Sequence, residues 1–219
     1  MTTLDSLDAI ADRIRAGFTE RNAVRDATLA RSRELISLCA TAIRASHRND
    51  WEQAHRLLEQ ARQVAATMQT ETAPYPDLYF AGYTQDALKE LAEAYITVAL
   101  AQGKALPSPQ EIAVEDATFL NGLAEAASEM RRRCLDLIRK RNNVEAERLL
   151  AAMDEIYAVL MTFDFPDAIT GGLRRRVDAL RGVLERTRGD LTMSMRQDAL
   201  LDALREFEHR VGVFNDESN

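Results

Sequence analysis

Two pairs of glutamates stand at spacings that can do chemistry. Glu90 and Glu93 are three residues apart, and the stretch that follows reads Ala94-Tyr95-Ile96-Thr97-Val98-Ala99-Leu100-Ala101. Glu125 and Glu129 are four apart, among Phe119, Leu120, Gly122, Leu123, Ala124, Ala126, Ala127 and Met130. Residues three or four apart share one face of a helix. Carboxylates on so apolar a face must be neutralised, hydrogen-bonded or metal-bound. If the two helices face each other, four carboxylates converge on one point. Hard oxygen ligands of this kind suit Mg²⁺ or Mn²⁺. Such an ion can activate a water and steady the charge of an in-line phosphoryl displacement. With 35 acidic residues in the chain, a single pair at this spacing is also what a solvated face produces. The reading therefore rests on there being two pairs, each on an unusually apolar helix.

The cations fit the same chemistry. Of 28 basic residues only Lys89, Lys104 and Lys140 are lysine, and guanidinium forks match phosphate. The net charge of −7 excludes a uniformly basic surface for duplex DNA, so a nucleic acid must find a local arginine-lined face. Candidates are Arg25, Arg33, Arg44 and Arg48 on the first helix, and Arg132, three residues beyond Glu129 and within reach of a phosphate near a metal there. Further basic runs are Arg131-Arg132-Arg133, Arg139-Lys140-Arg141 and Arg174-Arg175-Arg176.

The histidines offer a rival. Glu52-Gln53-Ala54-His55 and Glu206-Phe207-Glu208-His209 both carry the Glu-x-x-His spacing of di-iron helical bundles. However, Glu52, His55, Glu59 and Arg62 fall on the polar face of their helix, and His209 falls in a last turn before Gly212. His47 reads as a C-terminal helix residue favoured by the dipole. Glycine-rich phosphate loops, Cys-x-x-Cys and His-x-x-x-His are absent, and three dispersed histidines give a Ser-His-Asp triad no local support.

The elements that must position these groups are helices. Nine glycines, five prolines and 6% aromatics exclude an all-β chain, and apolar residues recur at three and four almost throughout. The pattern predicts one very long first helix, or two, with a weak point near Gly17, whose stripe of Leu35, Leu38, Cys39 and Ile43 packs partly against another subunit. A second helix starts at a cap of Asn49 and Asp50, and a third runs from about Leu78 or Tyr83 to Gln102. A linker with Pro107 and Pro109 holds a short turn around Ile112. The fourth helix spans about Glu115 to Arg141, and the fifth carries Ala146 to Leu160. The sixth carries Leu173 to Leu184, with Gly189 closing it and Asp190 opening a seventh. The third helix, apolar on all sides after Glu93, must be buried on all sides. The 219 residues form one domain, with residues 1–20 an N-terminal extension of the first helix and residues 212–219 a frayed tail. Cys39 and Cys134 lie on apolar stripes as buried free thiols. No stretch is long and apolar enough to span a membrane, and the acidic start Met1-Thr2-Thr3-Leu4-Asp5 is no secretory leader, so a cytoplasmic protein is expected.

These motifs together resemble the translin superfamily, and within it the nuclease-type, TRAX-like branch. That branch reads roughly Leu-x-Glu-x-x-Glu-Ala on one helix, which stands here as Leu88-Lys89-Glu90-Leu91-Ala92-Glu93-Ala94. On the next helix it reads roughly Gly-x-Ala-Asp-x-x-x-Glu, followed by Arg and Cys. The counterpart here is Gly122-Leu123-Ala124-Glu125-Ala126-Ala127-Ser128-Glu129, with Arg132 and Cys134. The run Leu173 to Arg181 resembles the basic sixth-helix pattern, and the likeness extends over about residues 25 to 190. The resemblance implies an all-α, seven-helix translin-like bundle with a long first helix, assembling as a hollow homo-oligomer, an octamer. It also implies binding of single-stranded RNA or DNA inside that shell, and Mg²⁺-dependent endoribonuclease activity from Glu90, Glu93, Glu125 and Glu129. Non-catalytic translins lack the first pair and the third acid, and this chain has all four. Glu125 stands where the branch has Asp, which carries its carboxylate outward by about a bond length. A nucleic-acid-binding scaffold without activity is the alternative, and a di-iron bundle the third reading.

Overall fold

In a computed structural model, residues 3–212 are described. They form nine helices and, among the described residues, no strand: α1 (Thr3–His47), α2 (Trp51–Thr72), α3 (Pro76–Tyr79), α4 (Gly82–Gln102), α5 (Pro109–Ile112), α6 (Asp116–Arg139), α7 (Asn143–Leu160), α8 (Asp167–Thr170) and α9 (Leu173–Val211). Six are long, and three are single turns that start at or just after a proline, whose fixed φ suits a first helical position. The predicted third, fourth and fifth helices are α4, α6 and α7. The Asp50 side chain accepts from the Gln53 backbone N–H and caps α2 as its sequence suggests.

α4 lies at the centre, against α1, α2, α6 and α7, while α6 also packs on α7 and α9. Ala87, Leu88, Leu91, Ala92, Ala94, Ile96, Val98 and Leu100 are buried all round α4, as its unbroken apolar run requires. A leucine or isoleucine buried this fully contributes about 1.5–3 kcal/mol. Cys39 and Cys134 are both fully buried free thiols.

The first helix is one, and two other expectations change. α1 runs straight through Gly17, because a single glycine costs a helix only about 1 kcal/mol. Its stripe of Leu35, Cys39 and Ile43 does not await a partner: it is buried in the chain's own core, with Leu38 packed against it. Of the large apolar side chains that α1 leaves exposed, Leu7, Ile10, Ile14 and Phe18 fall within the predicted extension and only Ile36 beyond it. The sixth and seventh helices are one. α9 passes through Gly189, which lacks a positive φ, and its buried stripe continues over Leu184, Thr187 and Leu191. The left-handed glycine that does end this helix is Gly212. Beyond it, the predicted frayed tail (213–219) lies outside the described residues. Among the described residues, no helix is long and apolar enough to cross a membrane.

Candidate metal centre

The centre is made by how closely α4 and α6 approach. Gly122 on α6 faces α4 so tightly that a Cβ there would lie 2.8 Å from the Ala92 Cβ, 2.9 Å from the Lys89 carbonyl oxygen and 3.0 Å from the Glu93 amide nitrogen. Only a hydrogen fits. This contact sets Glu90 and Glu93, on α4, against Glu125, one turn along α6. One carboxylate oxygen from each of the three lies within 4.8 Å of the other two, and all three residues are half-buried.

Glu129, expected as the fourth member, is not one of the three whose oxygens lie within 4.8 Å of one another, though its charge reaches Glu93. The His47 Nε2, at the last residue of α1, donates to the Glu129 Oε1 at 2.6 Å. The His47 side chain is 4% exposed, and its Nδ1 is buried without a partner. The acceptor fixes which ring nitrogen carries the proton.

Two cations enter the cluster. The Lys89 Nζ donates to the Glu90 Oε1 at 3.0 Å and also to the Glu125 Oε2. The Arg176 Nε donates to the Glu125 Oε1 at 2.7 Å, while its Nη1 bonds the Asn121 Oδ1 at 3.0 Å. Electrostatics follow position. Burial, then the neighbouring charges of Glu90, Glu125 and Glu129, push the Glu93 carboxyl up to about 8. Burial also opposes ionisation of Glu125, but the hydrogen bonds of Lys89 and Arg176 outweigh it and hold that carboxyl below its ordinary range. On the α1 side, burial raises the Cys39 thiol and the charges of Glu90 and Glu93 add to the effect.

The donor set is three carboxylates with no sulfur and no imidazole, which fits a hard divalent cation such as Mg²⁺ or Mn²⁺. The di-iron arrangement does not form. Glu52 and His55 are exposed on α2, Glu206 and His209 are exposed near the end of α9, and none of them belongs to the cluster. A solvated polar face wins over ligation in both motifs.

The five arginines expected to meet nucleic acid are all exposed. Arg33 and Arg44 lie on the face of α1 opposite its buried stripe, and Arg48 is in the turn just after that helix. Arg48 follows His47 in the chain, and Arg132 is one turn beyond Glu129 on α6. Arg25, further out, pairs with Asp26 at 2.9 Å. Sequence reasoning missed His47, Lys89 and Arg176 as parts of the centre. The only signals were Lys89 standing inside the first glutamate motif and Arg176 ending a basic run.

No family model matches the chain. An uncharacterized protein of Methanocaldococcus jannaschii is 28% identical over 191 residues, which covers 86% of this chain and 84% of that protein. A solved structure of AfC3PO in complex with duplex RNA matches with a TM-score of 0.80 at 31% identity, covering 85% of this chain and 97% of that one. A crystal structure of AfC3PO gives the same values. Apo-NeC3PO shares the fold, with a TM-score of 0.77 at 20% identity over 84% of this chain and 96% of that one.

Proposed function

The chain belongs to the translin superfamily, as do the archaeal and fungal C3PO proteins, and from that premise we propose that it is a cytoplasmic, self-assembling RNA- or DNA-binding protein with Mg²⁺-dependent endoribonuclease activity. The observation that carries this reading is the convergence of Glu90, Glu93 and Glu125 within 4.8 Å at the α4–α6 contact.

Glu90, Glu93 and Glu125 would hold the ion. When bound, Mg²⁺ or Mn²⁺ lowers the pKa of a water and offsets charge on the phosphoryl oxygens. Glu129, outside the trio, is the carboxylate left to take the proton of the attacking water. Its Oε2 does so while the His47 Nε2 keeps the Oε1 engaged and the carboxylate oriented. Arg132 holds the phosphate from the same helix, and Arg25, Arg33, Arg44 and Arg48 bind the strand as it runs along α1. AfC3PO has been solved with duplex RNA, which supports a nucleic acid as ligand and makes both single and double strands worth testing.

Assembly into a hollow homo-oligomer, an octamer by the family's pattern, is supported by two apolar stripes. Leu7, Ile10, Ile14 and Phe18 on α1 and Leu200, Leu204 and Phe207 on α9 recur at three and four, yet are exposed in the single chain. The ion pairs of Glu125 with Lys89 and Arg176 favour a second reading, a scaffold that binds nucleic acid without cutting it.

Labelled single-stranded and duplex RNA, incubated with Mg²⁺ or with EDTA, tests the proposal. Cleavage is expected with Mg²⁺ only, and Glu90→Gln should lower its rate by at least ~100-fold. Binding without cleavage by the wild type refutes the nuclease and leaves the scaffold.

A further inference from the structure

Among the described residues, Lys89 is the only charged residue that is buried, at 9% exposed. A lysine is almost never buried unless something on the inside engages its charge. Here the ammonium engages the Glu90 Oε1 at 3.0 Å and the Glu125 Oε2, two of the three carboxylates that would hold a divalent ion. We propose that Lys89 is a tethered counter-ion of the cluster, that its ammonium must leave Glu90 and Glu125 before a divalent ion binds there, and that the adjoining cavity receives it. This rests on the reading of the cluster as a divalent-cation site.

Geometry sets the competition. Mg²⁺ sits about 2.1 Å from its oxygen ligands, so an ion on the Glu90 Oε1 lies at most about 5 Å from the ammonium bonded to that same oxygen. Two positive centres would then repel each other across the same carboxylate oxygens in a half-buried site, where water screens them less than in bulk. One must yield, and only Lys89 has somewhere to go. Its side chain lines a cavity of about 620 Å³, with Gln85, Asp86, Asp116, Asn121 and Arg176 also on the wall. Asp86 stands one turn before Lys89 on α4 and is exposed, so its carboxylate can take over the ammonium. Lysine suits this movement, being a compact charge on a flexible four-carbon stem. Arg176 need not move. Its Nε holds the other oxygen of Glu125, and Asn121 braces its Nη1, so Glu125 stays oriented while Lys89 leaves.

Mn²⁺ titrated into the metal-free protein by calorimetry tests this. Lys89→Gln and Lys89→Met are expected to bind Mn²⁺ at least tenfold more tightly than the wild type, and Lys89→Arg no more tightly. In EDTA the two neutral variants should melt at a lower temperature, since the carboxylates lose their cation, and Mn²⁺ should restore them. Asp86→Asn alters an exposed residue and keeps the fold in hand. It should melt like the wild type and bind Mn²⁺ several-fold more weakly, because the displaced ammonium loses its acceptor. Equal Mn²⁺ affinity in the wild type, Lys89→Gln and Asp86→Asn overturns the role of Lys89 while leaving the metal site standing. If none of the proteins binds Mn²⁺, the divalent-cation reading falls and the inference falls with it.

Discussion

Glu93→Gln should make the metal-free protein more stable, by an amount that grows with pH. The Glu93 carboxyl stands at about 8 in the fold against an ordinary 4.5, because burial and then the charges of Glu90 and Glu125 disfavour its ionised form. A raised folded value means that the fold keeps a proton which the unfolded chain gives up. The stability this group contributes is fully present below pH 4.5 and is lost as pH rises towards 8. The separation corresponds to about 5 kcal/mol once both states are ionised, and about 3 kcal/mol is already lost near pH 7. Glutamine does not titrate and has nearly the same shape. The variant should therefore match the wild type at acid pH, exceed it by about 3 kcal/mol at neutrality, and exceed it by about 5 kcal/mol above pH 8. Glu125 works in the opposite sense, its stabilisation fading as pH falls, but both proteins share that term and it cancels in the difference. Urea denaturation followed by the helical circular dichroism signal, in EDTA and at one fixed chain concentration, measures the gap. Divalent ion should narrow it, since only the wild type can offer all three carboxylates. A variant no more stable than the wild type above pH 8, or one whose advantage ignores pH, refutes the picture of Glu93 as a buried acid crowded by its neighbours.

Gly122→Ala should destabilise the chain by about 1–3 kcal/mol, because the added methyl meets backbone atoms of Lys89 and Glu93 rather than movable side-chain ends. The same variant should weaken Mn²⁺ binding, as α4 and α6 part and Glu125 draws away from Glu90; a melting curve and a titration report both. Reversing Arg44 and Arg48 to Glu together should leave the melting temperature nearly unchanged, since both are exposed, yet weaken RNA binding and flatten its dependence on salt. Unaltered binding in the double variant would remove this face of α1 from the interface. Light scattering should give a mass several times 24.6 kDa, and Ile14→Ser with Phe18→Ser should lower it while the helical signal persists. A monomeric wild type at micromolar concentration would rule out the shell.

Much of the fold could be read from local pattern. α4 is apolar beyond Glu93 and is buried there on nearly every side, Asp50 caps α2, and Glu90 and Glu93 meet Glu125 across the helix contact. What stayed hidden depends on contacts between distant residues. No local pattern ties His47 to Glu129, 82 positions away, and a histidine beside Arg48 at a helix end already has an adequate local explanation. Lys89 belongs to the class of residue least often buried, so its place inside the motif reads as a surface position until Glu125 is seen opposite. Gly189 misled for the reverse reason. A glycine followed by Asp190 has the chemistry of a stop and a start, but the buried stripe through Leu184, Thr187 and Leu191 keeps the helix going.

The two buried cysteines give the protein its own pair of clocks. A thiol reacts as its thiolate, and burial drives Cys134 up to about 11 and Cys39 further still. Neither thiol is reachable by a reagent in the closed structure, so each can be labelled only during excursions in which its surroundings come apart. Cys39 times the separation of α1 from the helices packed on it, and Cys134, whose Sγ lies 3.8 Å from the Ala146 carbonyl oxygen, times the parting of α6 from α7. Labelling rates at the two positions would thus resolve which half of the bundle breathes first, with no residue introduced to report it.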